Sequence, residues 1–255
     1  MNELSQQVDA LRVRVFETRK AMGTAAGKDV AAKINELLRE KEILRIVFAA
    51  APSQNELLDY LANDQTIDWS RIDVFHMDEY VGLSVDAPQR FAHFLTQKLF
   101  AKVNPRTVNL IDDSAGAVAA CEQYAQLLKQ APIDIVCLGI GENGHLAFND
   151  PPVADFVDSE LIKRVQLDDV CRQQQVNDGC FATFDDVPEE ALTLTIPTLL
   201  SGQHLFCVVP GPTKHDAIQN TLYGPITTEC PASILRQHPA CTLYVDRDSY
   251  GQPVL

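Results

Sequence analysis

Apolar and polar residues alternate along the chain in short β-type runs, which are separated by segments with helical spacing. The runs that predict strands are LRVRVF (11–16), ILRIVFAAA (43–51), IDVFHM (72–77), TVNLI (107–111), IDIVCLGIG (133–141), ALTLTI (191–196), HLFCVVP (204–210) and CTLYV (241–245). Helices are expected over 21–39, 53–62, 87–98, 115–130 and 214–221. Several strands are apolar almost throughout, which is typical of strands buried on both faces. The pattern therefore predicts an α/β fold with a largely parallel, doubly wound, Rossmann-like sheet and helices on both of its faces.

The length of the chain and its apolar content predict one domain. There are 255 residues, of which 46% are apolar, and no repeat or linker interrupts them. A single domain over residues 1–255 is therefore expected. Residues from about 150 to 190 lack clear periodicity and carry polar clusters such as RQQQVNDG. A segment of this length within a compact domain is often functional, and we expect it to form a lid.

The net charge restricts the partners that are expected for this protein, and the cysteine content bears on metal binding and on the cellular compartment. A formal net charge of −14 suits neither nucleic acid nor an anionic membrane, although a few cations and helix termini could still bind a small anion. The seven cysteines show no Cys-x-x-Cys and no zinc-type spacing, so we expect no metal and a reducing cytoplasm. The polar, mixed-charge start MNELSQQVDALRVRVFE predicts neither a signal peptide nor a membrane span.

The run GIGENGHLAFND (139–150) follows an apolar strand and matches the Gly-x-Gly-x-x-Gly spacing of dinucleotide-binding loops. In such a loop the third glycine opens a helix. Here Pro151 and Pro152 fall where the middle of that helix would be, and paired prolines oppose it. A nicotinamide or flavin site is therefore not expected, and no cofactor is predicted.

The same loop offers a histidine at the carboxyl end of a strand. His145 has Asn143 and Asp150 close enough in sequence to reach it. A carboxylate on one ring nitrogen would fix the tautomer and leave the other nitrogen to exchange protons near neutral pH. The alternative is a structural histidine that caps a turn.

Two adjacent carboxylates follow the predicted strand at 72–77. Asp78 and Glu79 should point to opposite sides of an extended segment, so only one of them can face a given pocket. A carboxylate base beside a neutral imidazole is the pairing that sugar-phosphate isomerases use to move a proton between adjacent carbons. Solvated acids at a strand end are the alternative.

Two further segments could bind a phosphate group. Ser53 and Gln54 open a helix after a strand, although Ser53 with Glu56 also fits a capping box. Lys214 follows a strand and a Pro-Gly turn at the start of another helix. A solvated surface lysine is the alternative there.

These residues give the chain a resemblance to the glucosamine-6-phosphate deaminase/isomerase family, from about Val13 to Val245. The resemblance rests on MDEYVGL (77–83) and GIGENGHLAFNDP (139–151). It implies an aldose–ketose isomerisation coupled to loss of the 2-amino group of an aminosugar 6-phosphate. The products would be fructose 6-phosphate and ammonia, formed without a cofactor by an enzyme that is formally a hydrolase of a carbon–nitrogen bond.

The resemblance also implies roles for individual residues. Asp78 matches the base that moves a proton from C2 to C1, and His145 matches the residue that opens the sugar ring. Asp150 stands where the family has a glutamate that orients this histidine. Asn143 replaces an aspartate of the best-known members, and Lys214 matches the phosphate-binding lysine.

The chain departs from the family in its phosphate loop and in its lid. APSQNE replaces a Thr-Gly-Gly-Thr type loop, which leaves Ser53 and Gln54 as stand-ins. The lid arginine of the family has no clean match, and Arg172 is the nearest cation. The substrate-binding set is expected to be completed by Glu79, Gly141 and Gly144. Residues of the allosteric site in some hexameric members do not align, so we expect no allostery, while a homo-oligomer stays open.

Three alternatives remain at this stage. The related 6-phosphogluconolactonases share the Gly-x-Gly-x-x-Gly-His loop but usually lack MDEYVGL. Galactosamine 6-phosphate differs from the glucosamine compound by one hydroxyl epimer, which the sequence does not distinguish. A sugar-phosphate effector domain of a transcription regulator would need a DNA-binding helix-turn-helix, and the first forty residues show none.

Overall fold

A computed structural model describes residues 3–251 of the chain. The strands are β1 (Glu3–Val8), β2 (Leu11–Phe16), β3 (Leu44–Phe48), β4 (Ile72–His76), β5 (Asp78–Tyr80), β6 (Thr107–Asn109), β7 (Ile135–Leu138), β8 (Ile162–Gln166), β9 (Glu190–Leu194), β10 (His204–Val209) and β11 (Cys241–Asp246). The helices are α1 (Arg19–Leu37), α2 (Asn55–Asn63), α3 (Phe91–Leu95), α4 (Ala101–Val103), α5 (Ala117–Lys129), α6 (Asp169–Asn177), α7 (Ile196–Leu200), α8 (His215–Tyr223) and α9 (Arg247–Tyr250). A π-helical turn at Thr96–Phe100 joins α3 to α4.

Eight strands form the central sheet in the order β1-β2-β11-β10-β7-β3-β4-β6. The strands from β2 to β6 in this order run parallel, and only the edge strand β1 pairs antiparallel with its neighbour. The predicted α/β fold with a largely parallel sheet is therefore confirmed.

The inner strands bury side chains on both faces of this sheet. On β3, Ile46 and Phe48 pack into one hydrophobic cluster and Val47 packs into the other. Residues of α1 and α2 complete the first cluster, and residues of α5 and α8 complete the second. Alternate residues of a strand point to opposite faces, so a nearly continuous apolar run is what two helical layers require.

A second, three-stranded antiparallel sheet has the order β5-β9-β8. It corrects two sequence-based expectations. The strand predicted at 72–77 ends at His76, and the extended segment with Asp78 and Glu79 is not its continuation but strand β5 of the small sheet. The predicted strand at 191–196 pairs in the same small sheet as β9, not in the central one.

The segment from about 150 to 190, which lacks clear periodicity in the sequence, contains strand β8 and helix α6. Asp168 caps α6, because its side chain accepts a hydrogen bond from the amide of Cys171 over 2.7 Å. The role of this segment as a lid stays a prediction, as does the single-domain organisation. Within residues 3–251, no helix combines the length and the apolar character needed to cross a membrane.

Candidate active site

A cavity lies at the carboxyl ends of four neighbouring strands of the central sheet, β10, β7, β3 and β4. Its walls come from the segments that follow these strands, at 49–53, 77–78, 139–148 and 210–214. Helix α6 contributes a further wall. This edge is where open α/β sheets bind their ligands, because the connections there diverge and leave a crevice.

The glycine-rich loop after β7 is shaped around His145. The amide of Gly141 donates to the carbonyl of His145 over 3.0 Å, and a Cβ atom on Gly141 would overlap the imidazole ring. Gly144 has a φ of +85°, which residues with a side chain rarely adopt. Gly141 borders the cavity, whereas Gly144 packs against Cys230, which corrects its expected contact with substrate. Gly141 thus makes room for a side chain of its own loop, where a dinucleotide site would keep room for a pyrophosphate.

His145 and Asp150 form a buried pair. The Nδ1 atom of His145 lies 2.8 Å from Oδ1 of Asp150. Asn143 holds both partners, because its Nδ2 donates to the same carboxylate oxygen over 2.9 Å and its Oδ1 accepts from the amide of His145 over 3.0 Å. Burial alone would raise the pKa of Asp150, but His145, Asn143 and Cys171 together lower it. The ionised carboxylate favours a proton on Nδ1 and leaves Nε2 for exchange with a ligand.

Cys171 completes a group of side chains that carry metal-ligand atoms. One potential ligand atom from each of His145, Asp150 and Cys171 lies within 4.8 Å of the other two. Burial and the nearby Asp150 raise the pKa of the Cys171 thiol far above its ordinary value. In the structure these three side chains form one buried imidazole–carboxylate–thiol group.

Asp78 also faces the cavity and is 7% exposed. Burial, and then the neighbouring Glu79, raise its pKa well above the ordinary value. In the small sheet Asp78 pairs with Thr193. The hydroxyl of Thr193 accepts a hydrogen bond from the amide of Phe148, in the histidine loop, over 3.1 Å. One threonine thus connects the two segments that bring ionisable groups to the cavity.

Glu79 does not face the cavity, which corrects its expected place among the substrate-binding residues. Its side chain is fully buried beside Arg90, with Arg90 Nε 3.5 Å from Oε2. The carboxylate accepts backbone hydrogen bonds from Tyr80, Phe91 and Ala92 at 3.0, 3.1 and 3.0 Å. Phe91 and Ala92 are the first residues of α3, so the carboxylate satisfies free amides at a helix start. Both oxygens of Glu79 are therefore occupied by groups of the protein outside the cavity.

The Ser53 segment differs from its expected structure. The capping box is absent, since Glu56 binds Arg19 Nε over 2.8 Å and α2 begins without a side-chain cap. Ser53 borders the cavity. Gln54 is buried beneath it, and its Nε2 donates to the carbonyls of Leu138 and Val208 at 3.3 and 3.2 Å. Gln54 therefore joins the ends of β7 and β10. The structure places its side chain beneath the cavity, in contrast to the expected contact with phosphate.

Two cations reach the cavity. Lys214, predicted from the sequence, is 7% exposed there. Burial lowers its pKa, and the carboxylates of Asp178 and Glu142 act against that effect. The second cation, Arg19, was not predicted. It begins α1 behind the cap residue Thr18 and donates to the carbonyl of Pro52 in the Ser53 segment. One feature of the sequence could have indicated this role. Arg19 begins the helix that follows β2, the first parallel strand, and helix starts at this edge of the sheet face the ligand crevice.

Arg172 is not among the residues that line the cavity, which corrects its expected role as a phosphate ligand. Its guanidinium lies 4.1 Å from the centre of the Phe184 ring and donates to the carbonyls of Phe184 and Val187 at 3.2 and 2.9 Å. Successive residues of a helix lie about 100° apart, so a neighbour of the inward-facing Cys171 points elsewhere. The residues of α6 that do line the cavity are Gln174 and Gln175.

The arrangement combines a buried carboxylate, an oriented imidazole and two cations around one cavity. The carboxylate and the imidazole can accept and donate protons, and the cations can bind an anionic group. These features, at the carboxyl edge of a parallel sheet, are those of an acid–base enzyme for a small phosphorylated substrate.

Comparison with known proteins identifies the family. The model of the glucosamine-6-phosphate isomerases/6-phosphogluconolactonase family matches residues 17–244, and the chain belongs to this family. A glucosamine-6-phosphate deaminase of Halothermothrix orenii is 31% identical over 94% of this chain and 98% of its own. Glucosamine-6-phosphate deaminase 1 of Giardia intestinalis is 33% identical over 86% of this chain and 84% of its own.

Solved structures share the fold. A monomeric glucosamine-6-phosphate deaminase superimposes with a TM-score of 0.85 at 27% identity, covering 94% of this chain and 98% of that one. The 6-phosphogluconolactonase of Thermotoga maritima has a TM-score of 0.76 at 20% identity, covering 92% of this chain and 98% of its own. The second likeness concerns the fold alone.

Proposed function

We propose that this protein deaminates glucosamine 6-phosphate, producing fructose 6-phosphate and ammonia without a cofactor. The observation that carries the proposal is that Asp78 and His145 border one cavity, with Asp150 buried against the imidazole of His145. The deaminases among the relatives support the same substrate. The protein would then act in the cytoplasm, in the catabolism of amino sugars.

Binding begins with the phosphate group. Lys214 and Arg19 supply positive charge, and the hydroxyl of Ser53 supplies a neutral donor between the segments that carry them. Both cations can donate charge-assisted hydrogen bonds to phosphate oxygens. A substrate anchored in this way directs its other end toward Asp78 and His145.

Ring opening is the task of His145. Its Nε2 takes the proton of the anomeric hydroxyl and returns a proton to the ring oxygen, which breaks the bond between C1 and that oxygen. Asp150 keeps the imidazole in one orientation throughout and stabilises the imidazolium that forms. The product is the open-chain aldehyde with its amino group on C2.

Isomerisation is the task of Asp78. The carboxylate removes the proton from C2 while the aldehyde oxygen gains one from the protonated 2-amino group, which gives an enolamine. Return of the C2 proton from Asp78 to C1 produces a protonated imine at C2, and addition of water to that carbon releases the nitrogen as ammonia with its proton and leaves the ketone. A raised pKa makes Asp78 a stronger base for this carbon-bound proton, at the cost of a smaller ionised fraction.

An ammonia-release assay tests the proposal. Purified protein is incubated with glucosamine 6-phosphate, galactosamine 6-phosphate and, for the related lactonase activity, 6-phosphogluconolactone. We expect ammonia and fructose 6-phosphate from the glucosamine compound, and lactone hydrolysis no faster than in buffer. Rapid hydrolysis of the lactone without ammonia release from either amino sugar would overturn the proposal.

A further inference from the structure

Helix α6 presents one face to the cavity. Cys171, Gln174, Gln175 and Asp178 recur at the spacing i, i+3, i+4 and i+7, which places them on one side of a helix. The last three border the cavity, and Cys171 lies against the imidazole–carboxylate pair. Among these four residues there is no cation, which distinguishes this face from one designed to bind phosphate.

The helix runs along the cavity from its catalytic end to its phosphate end. At its start, Cys171 lies within 4.8 Å of the ligand atoms of His145 and Asp150. At its end, Asp178 is close enough to Lys214 to counteract the fall in pKa that burial causes in that amine. Seven residues of α-helix rise about 10 Å. The residues between these ends therefore face the middle of a bound sugar phosphate, between the reacting carbons and the phosphate group.

The two glutamines at this middle position differ in whether their side-chain amides have a hydrogen-bonding group without a partner. Gln174 is engaged at both ends of its amide: Oε1 accepts from the amide of Glu142 over 2.8 Å, and Nε2 lies 3.4 Å from Oδ2 of Asp178. Gln175 is 6% exposed, and its Oε1 accepts a hydrogen bond from the hydroxyl of Tyr80 over 2.7 Å. Its Nε2 has no hydrogen-bond partner within residues 3–251.

Tyr80 binds the oxygen end of the Gln175 amide. The Tyr80 hydroxyl donates to Oε1 over 2.7 Å, and burial raises its pKa well above the ordinary value. The Tyr80 ring is held between Phe91, Phe148 and Phe181 at centroid distances of 4.8, 5.5 and 5.2 Å. With the oxygen engaged by Tyr80, the NH₂ group is the end of this amide that is left to act as a neutral donor, on a residue that lines the cavity.

We propose that Gln175 is a specificity-determining residue that donates a hydrogen bond to a hydroxyl oxygen on C3 or C4 of the sugar. The inference rests on the proposed function, because it uses the same cavity and the same class of substrate. A positioned donor distinguishes hydroxyl epimers, since a polar group left unpaired in a buried site is costly. Gln175 thereby supplies the epimer selection that phosphate-binding cations cannot provide.

The test replaces Gln175 by methionine, which keeps the length of the side chain and removes the donor. Gln173→Met is the matched control, because Gln173 lies on the exposed side of the same helix. Ammonia release is measured with glucosamine 6-phosphate and with its 3-deoxy and 4-deoxy analogues. For Gln175→Met we expect roughly a three- to tenfold rise in KM on the parent sugar with kcat little changed.

The deoxy analogues separate a direct contact from a structural effect. On the analogue that lacks the recognised hydroxyl, wild type and Gln175→Met should have equal KM values. An equal loss on all three compounds, or a loss of the same size in Gln173→Met, would overturn the inference. Tyr80→Phe is the second variant, and it should raise KM on the parent sugar by a smaller factor because it frees the amide to rotate.

A failure of the proposed function can be distinguished from a failure of the inference about Gln175. Wild-type protein that releases no ammonia from any amino sugar would overturn the deaminase proposal. The inference is then decided by calorimetry with the unreactive open-chain sugar 2-amino-2-deoxyglucitol 6-phosphate. Weaker binding by Gln175→Met than by both wild type and Gln173→Met supports it, and equal binding by all three proteins overturns it.

Discussion

Asp78 and Glu79 are consecutive residues, yet their carboxylates lie in opposite environments. Asp78 borders the cavity, and no described donor holds its oxygens. Glu79 is fully buried on the other side of β5, where three backbone amides and Arg90 surround it. Alternation along a strand produces this division. It leaves one carboxylate free to accept a proton and commits the other to the structure.

Replacing Asp78 by asparagine should remove the base while keeping the shape of the side chain. We expect turnover to fall roughly a hundredfold to ten-thousandfold, which is the range for loss of general-base catalysis, with KM little changed. Steady-state ammonia release checks this. A variant that retained most of the turnover would show that another group takes the C2 proton.

The same variant should be more stable than wild type at neutral pH. Burial, and then Glu79, raise the pKa of Asp78, so the folded state is favoured below about pH 4, the ordinary aspartate value, and loses that advantage as the pH rises. Asparagine carries no such penalty. Thermal unfolding should give a higher Tm for Asp78→Asn at pH 8 and nearly equal values near pH 4. A gain of equal size at both pH values would contradict the assignment.

His145 is expected to matter mainly for ring opening. His145→Gln should lose far more activity on the closed pyranose than on a substrate analogue that is already open, because the isomerisation depends on Asp78. Gly141→Ala should show the same pattern, since its Cβ would displace the imidazole. The comparison requires turnover on both compounds. Equal losses on both would assign the histidine to a later step.

Asn143 offers a test of the charge around the imidazole. Its amide donates to Asp150, so Asn143→Asp would place a second carboxylate beside the first. Added negative charge favours imidazolium, and the limb of the pH–rate profile assigned to His145 should move upward. Asn143→Ala serves as the uncharged control. A limb that stays in place, or moves downward, in the aspartate variant would show that this position does not influence the imidazole charge.

The phosphate site can be mapped by three methionine substitutions. Lys214→Met and Arg19→Met should each raise KM by roughly ten- to a hundredfold with a smaller effect on kcat, because they remove charge-assisted hydrogen bonds. Arg172→Met is the control, since that guanidinium stacks on Phe184 outside the cavity. An unchanged KM for Lys214→Met together with a raised KM for Arg172→Met would reverse the assignment.

The buried strands could be predicted from the sequence because both of their faces require apolar side chains. Strand β2 has the same bounds as the predicted run LRVRVF, and β10 differs by one residue. Strands β1 and β8 were missed. ELSQQV and IKRVQ are largely polar and expose part of their length, so neither shows the apolar run that marks a central strand.

Helix α6 could not be predicted for a different reason. Its inward face carries Cys171, Gln174 and Gln175, whose neighbours in the structure are polar groups of the cavity. A helix that packs on a polar site lacks the apolar stripe that indicates amphipathic helices. The sequence did predict that only one of Asp78 and Glu79 faces the cavity. The choice between Asp78 and Glu79 depends on how β5 pairs in the small sheet. Its partner β9 is distant in sequence, so the local pattern does not indicate this choice.

The pairing of β2 with β11 has a consequence for how the protein is made. Arg12 lies beside Thr242, and Phe16 lies beside Asp246, in a parallel ladder. Strand β2 therefore leaves the ribosome long before the neighbour that completes its hydrogen bonds exists. Contacts between such distant segments form slowly, because a long loop must close first. Of its two described neighbours, β2 can pair only with β1 until residues 241–246 have been synthesised, so closure of this part of the sheet waits for β11.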